Sequence, residues 1–176
     1  MDIDRIKGAI FDLDGTIIDS MDIWEMIGRE FLRDRGIDMP DDIGEKTGHM
    51  SFYETAIYFK EYFELQESAE EIMSEWDELG HYHYENTVEL KPGVREYLRH
   101  LKDRGIKIAL ATAADRDYVN TIFKRMGIYD YFDVILTVDD VERDKSFPDI
   151  YIEASKKMGI KPNECVVFED MYIPIL

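Results

Sequence analysis

The chain has 176 residues, 45% hydrophobic and 12% aromatic, enough to bury a core of one domain or of one domain with an insert. Its formal charge of −18 repels polyanions such as nucleic acid over most of the surface, and a phosphorylated ligand would need a local cation or metal to overcome the same field. No apolar run approaches the ~18 residues of a membrane span, Asp2, Asp4, Arg5 and Lys7 break any signal-peptide pattern, and the single cysteine, Cys165, precludes an internal disulfide; a cytoplasmic protein without a membrane partner is expected.

In chain order, Ile6–Phe11 is the first short apolar run and reads as a buried strand. The segment 18–90 then has no strand-like run. Trp24, Ile27, Phe31 and Leu32 form a helical stripe. Ser51 with Glu54, and Ser68 with Glu71, are two S-x-x-E capping boxes. They open helices carrying Phe52, Ala56, Phe59 and Phe63, then Ile72, Trp76 and Leu79. Both tryptophans and the phenylalanines are expected in the core of this helical unit rather than on a substrate platform.

From residue 91 the chain alternates. Pro92 and the stripe Val94, Tyr97, Leu98 and Leu101 predict a helix, Ile106–Ala111 a strand, and Val119, Ile122, Phe123 and Met126 a helix with Asp115 as N-cap. Val134–Val138 is a third strand; Ile150, Ala154 and Met158 mark a helix after Pro148; Cys165–Phe168 is a fourth strand. Arg35-Gly36-Ile37, Arg104-Gly105-Ile106, Met126-Gly127-Ile128 and Met158-Gly159-Ile160 read as four helix stops, with glycine left-handed and isoleucine folded back. Strand, helical insert, then β-α-β-α-β predicts an α/β fold: a Rossmann-like, doubly wound parallel sheet over 1–17 and 91–176, with an all-helical cap over 18–90.

In a parallel sheet, ligands gather at the carboxyl ends of the strands. Those ends carry Asp12-Leu13-Asp14-Gly15-Thr16, Thr112-Ala113-Ala114, Lys145 beyond the third strand, and Glu169-Asp170. Two aspartates, a hydroxyl, an ammonium and an acidic pair are what phosphate-monoester chemistry needs. Mg²⁺ among the carboxylates and a phosphate oxygen would relieve the repulsion between the dianion and an anionic nucleophile. Asp12 could then attack phosphorus and form an aspartyl-phosphate. Asp14 returns to the same side of the chain as acid and base. Thr112, Ala113 and Lys145, with backbone N–H groups near Asp14–Thr16, would hold the phosphate oxygens. Crowding four carboxylates without a cation would be costly, which itself argues for metal.

Each piece also has a plainer reading. Asp-Gly is common in turns, Lys145 alone would be a solvated lysine, Thr112 could cap the following helix, and Glu169-Asp170 could be a solvated strand end. Cys165 is expected as a small buried strand residue. His81 and His83, two apart on a helix, face different ways and make a poor metal pair, and His49 and His100 are expected at the surface.

Phe11–Thr16 resembles the first motif, DxDGT, of the haloacid dehalogenase superfamily. The threonine of ATAA, the lysine of KSFPDIY and the acidic pair of FED follow in the order of its other motifs. The insert position resembles the helical-cap subfamily that includes β-phosphoglucomutase and many small-molecule phosphatases. The resemblance implies Asp12 as nucleophile, Asp14 as acid/base, Thr112 and Lys145 as phosphate ligands, and Mg²⁺ held by Asp12, Glu169, Asp170 and the Asp14 carbonyl. It implies a phosphatase for a small phosphorylated metabolite, sugar-phosphate-like, acting as a monomer or weak dimer. Arg29, Lys46, His49 and Tyr53 of the cap are candidates for substrate recognition.

Two departures from the family pattern stand out. The chain ends in MYIPIL soon after Asp170, so a last strand and helix are expected to be missing and the fourth strand to become a sheet edge. Asp144 precedes Lys145 where glycine is usual. A β-phosphoglucomutase-like mutase is the main alternative, disfavoured because Asp19–Trp24 holds no histidine. A non-catalytic, phosphate-binding product of a shortened chain is another. A phospho-accepting receiver domain fits the Asp12/Asp14 spacing and the large insert less well.

Overall fold

The computed structural model describes residues 5–48, 50–143, 145 and 147–170. Asp144 and the MYIPIL end lie outside the described residues. The chain divides into two compact units, Met1–Met21 with Val88–Leu176, and Asp22–Thr87.

The first unit is a parallel sheet of four strands: β1 (Gly8–Phe11), β2 (Lys107–Thr112), β3 (Val134–Thr137) and β4 (Cys165–Phe168), in the order β3-β2-β1-β4. β1 is central, with Phe11 level with Leu110 on one side and with Phe168 on the other. Its burial is complete, as expected of a strand covered on both faces. Alternation sends Ile10, Ala109, Ala111 and Leu136 to one face, where they meet Ile150, Tyr151, Ala154 and Met158 of a helix spanning Asp149–Met158. On the other face Phe11 stacks on Phe168 at 4.5 Å, and Tyr97, from the helix Val94–Asp103, meets both rings edge-on. A further helix, Arg116–Met126, buries Val119, Ile122 and Phe123. Among the described residues β4 pairs with β1 alone, and Val167 is exposed.

The second unit is helical throughout: α1 (Ile23–Arg33), α2 (Ile43–Thr47), α3 (Phe52–Tyr62) and α4 (Ala69–Asn86). The core-unit helices just described are then α5 (Val94–Asp103), α6 (Arg116–Met126) and α7 (Asp149–Met158). Both capping boxes form, with Ser51 on Glu54 and Ser68 on Glu71. Ile27, Phe31, Phe59, Ile72 and Trp76 make the apolar centre. Trp24 is a correction: it is 45% exposed, and Ile23 takes its place on the buried face of α1. Phe52 is exposed as well, at the first position of α3, where a side chain has no preceding turn to lean on. The two exposed rings still meet edge-on at 5.4 Å.

All four glycine stops form. Gly36, Gly105, Gly127 and Gly159 are left-handed, and the N–H of each following isoleucine donates to the carbonyl five residues back, on Leu32, Leu101, Phe123 and Ser155. Asp115 sits at the N-cap of α6 without a side-chain cap bond. The turn is held by Thr112 instead, whose Oγ1 accepts from the Ala114 N–H at 3.0 Å. Cys165 is half-buried, its Sγ 3.6 Å from the Lys161 carbonyl.

Candidate active site

The sheet order decides the site. β1 and β4 are hydrogen-bonded neighbours, so the residue after Phe11 and the residues after Phe168 emerge side by side; the Asp12 N–H donates to the Phe168 carbonyl at 3.0 Å. Side-chain oxygens of Asp12, Glu169 and Asp170 lie within 4.8 Å of one another. An oxygen-only set of this kind suits a hard divalent cation such as Mg²⁺.

Lys145 reaches into the same cluster. Its Nζ is 2.5 Å from Asp12 Oδ1 and 2.8 Å from Glu169 Oε2, and all three side chains are nearly buried. The expectation that the carboxylates need a metal to coexist is thus met in part by the chain itself, whose ammonium sits between two of them. Burial remains the stronger influence on Asp12, whose carboxyl is pushed up from 3.8 to about 6. Lys145 pulls it down, by charge and by hydrogen bond; Glu169 pushes it up; the Leu13 amide lowers it.

Asp14 is not one of the three carboxylates that meet there. Its Oδ1 accepts from the hydroxyl of Ser20, a buried residue, at 2.7 Å. Between them the chain makes a tight loop: the N–H groups of Ile17 and Ile18 donate to the Leu13 carbonyl, and that of Gly15 to Ile18. The Gly15 and Thr16 N–H groups, expected to face a phosphate, are therefore used within this loop. Gly15 has φ +72°, and a side-chain carbon there would fall 2.1 Å from Asp170 Oδ2. Only glycine lets Asp170 close against the loop.

Thr112 is buried at the end of β2, with Ala113 exposed beyond it. Two contributors were not singled out by the motif reading. Ser20 is one. The other is Tyr151 of α7, whose hydroxyl donates to Glu169 Oε2 at 2.8 Å. Burial and the Glu169 carboxylate hold this phenol well above its ordinary range, so it stays a donor. Tyr151 closes the KSFPDIY stretch that Lys145 opens and lies on the buried stripe of α7.

The cap candidates lie in the second unit. Arg29 is bound to Glu25, Asp41 and the Met39 carbonyl. Lys46 pairs with Asp42 at 2.8 Å and lies over the Tyr62 ring, while Tyr53 is exposed. His49 lies outside the described residues. His81 approaches Asp77, while His83 is buried between Glu30 and Thr87 and serves the unit's own packing. Among the described residues no helix is long and apolar enough to cross a membrane.

A doubly wound α/β sheet with a carboxylate cluster and a lysine at the carboxyl edge defines an enzyme core. The chain belongs to the haloacid dehalogenase-like hydrolases, whose family model matches residues 6–172. It is 35% identical over 169 residues to the Bacillus subtilis protein named "Putative phosphatase YhcW", covering 94% of this chain and 75% of that protein. It is 27% identical over 165 residues to the "Phosphorylated carbohydrates phosphatase" of Thermotoga maritima, covering 94% and 76%. Among solved structures it resembles one described as a "putative beta-phosphoglucomutase from Thermotoga maritima", with a TM-score of 0.87, 27% identity, and 94% and 77% of the two chains covered.

Proposed function

We propose that this hydrolase is a Mg²⁺-dependent phosphatase that cleaves a small phosphorylated metabolite, of the sugar-phosphate kind, through a phosphoryl group carried on Asp12. The observation that carries the reading is the cluster of Asp12, Glu169 and Asp170 with the Lys145 ammonium bound to the first two. The names of the curated relatives, one a phosphatase of phosphorylated carbohydrates, support the substrate class.

In this reading the Asp12 carboxylate attacks phosphorus as the bond to the ester oxygen breaks, and Asp14 gives its proton to the departing alcohol. Ser20, bonded to Asp14 Oδ1, fixes the orientation of that carboxyl. Asp14 next takes a proton from water, whose oxygen displaces Asp12 and releases inorganic phosphate. The ammonium of Lys145, already beside Asp12, neutralises charge on a phosphate oxygen, and Thr112 holds the β2 end in place. Asp12, Glu169 and Asp170 would hold Mg²⁺, with the Asp14 carbonyl as a further ligand; the ion supplies charge neutralisation between the carboxylates and the phosphate.

Hydrolysis is favoured over phosphoryl transfer to a second sugar hydroxyl because Asp19–Trp24 supplies no histidine. Phosphate release from a panel of phosphate esters, with Mg²⁺ and with chelator, tests the proposal. Mg²⁺-dependent release that disappears in Asp12→Asn is expected. Release by a folded Asp12→Asn variant, or none from the parent on any ester, refutes it.

A further inference from the structure

We infer that Tyr151 is a positioning residue for the metal end of this site, its phenol fixing which oxygen of Glu169 is offered to a cation. The inference rests on the phosphatase reading above and deepens it.

The geometry is specific. Tyr151 OH and Lys145 Nζ both donate to Glu169 Oε2, each at 2.8 Å. That oxygen is engaged by two donors from different parts of the chain, and among the described residues no donor reaches Oε1. Without the phenol, the described residues would hold the Glu169 side chain through Lys145 alone, a flexible ammonium it shares with Asp12. The carboxylate could then turn about its last torsion, which is broad and poorly defined intrinsically.

Tyr151 itself cannot turn. Its ring is 6% exposed and is packed with Ile10, Ala154 and Met158 between α7 and the sheet. The rigid helix–sheet interface is thereby coupled to a carboxylate at the strand end, the arrangement by which outer partners of a ligand tune a metal site. The ring also lies 5.9 Å from the Lys145 ammonium, adding weakly to the hold on the second donor.

Tyr151→Phe keeps the packed ring and removes only the hydroxyl. In the full chain, Mg²⁺ affinity measured by calorimetry or by Mg²⁺-dependent melting should fall about tenfold, the scale of loss for an outer partner of a ligand. The Mg²⁺ concentration for half-maximal phosphate release should rise in step, while saturating Mg²⁺ restores kcat and leaves KM for the ester unchanged. In a Glu169→Ala background the same substitution should have no further effect on Mg²⁺ affinity, because the carboxylate it acts through is gone. A Mg²⁺ affinity within about twofold of a parent that binds Mg²⁺ and releases phosphate, or equal effects in both backgrounds, overturns the inference alone. A parent that takes up no Mg²⁺ overturns the phosphatase reading and the inference with it.

Discussion

Asp12→Asn is expected to stabilise the metal-free protein at neutral pH while abolishing turnover. Asp12 is 5% exposed, and its carboxyl is raised from 3.8 to about 6, chiefly by burial. Between those two values the folded chain keeps a proton that the unfolded chain releases. The stability this group contributes is therefore fully present below 3.8 and is lost as pH rises through about 6. At ~1.4 kcal/mol per pH unit the cost above pH 7 reaches about 3 kcal/mol. Asparagine keeps the shape and removes the charge, and Lys145 is not orphaned because it still holds Glu169 at 2.8 Å. For a chain of this size, up to about 3 kcal/mol corresponds to roughly 5–10 °C in melting temperature. The assay is thermal melting of parent and variant in chelator across a pH series. The variant should melt higher at pH 7.5, and its advantage should shrink to roughly a third by pH 4.5. With saturating Mg²⁺ the order should reverse, since only the parent gains the ion. A metal-free variant that melts no higher than the parent at pH 7.5, or one whose advantage ignores pH, would show that burial does not dominate at Asp12.

Mg²⁺ should raise the melting temperature of the parent far more at pH 7.5 than at pH 5, because a protonated Asp12 is a poor ligand; equal shifts at both values would refute the carboxylate cluster as the site. Gly15→Ala forces a side-chain carbon against Asp170 at φ +72°, costing about 1–2 kcal/mol for the backbone alone, and should weaken Mg²⁺ binding; unchanged affinity by calorimetry contradicts the close approach. In the helical unit, Arg35→Met removes a guanidinium held by Glu67 at 2.8 Å and Glu75 at 2.6 Å and lying 3.7 Å over the Phe31 ring. Denaturant unfolding should show a loss of about 1.5–3 kcal/mol, and a loss below ~0.5 kcal/mol would mean the network is solvated.

The parts of the site that were legible in the sequence are those written in local spacing. Asp12 and Asp14 stand at the end of an apolar run, Glu169 and Asp170 at the end of another, and each run ends where its strand ends, at Phe11 and Phe168. The four glycine stops and two capping boxes were equally readable, since their hydrogen bonds close within three to five residues. Trp24 failed because a helical stripe fixes only a face, and its edge residue can go to water when Ile23 fills the same side. The N–H groups of Gly15 and Thr16 are bonded to the Ile18 and Leu13 carbonyls, a loop pairing that the DxDGT spacing does not announce.

By itself the sequence determined the kinds of element, their order and the residues at each strand end, because period, capping and chain reversal act between near neighbours. The tertiary structure alone decided that β4 pairs with β1, which brings Glu169 beside Asp12, and that Lys145, 133 residues after Asp12, bonds to both. It alone gave Ser20 to Asp14 and Tyr151 to Glu169. Such pairs follow from which strands share an edge and which helix face covers the sheet, choices set by packing the whole core and left unmarked by any local spacing.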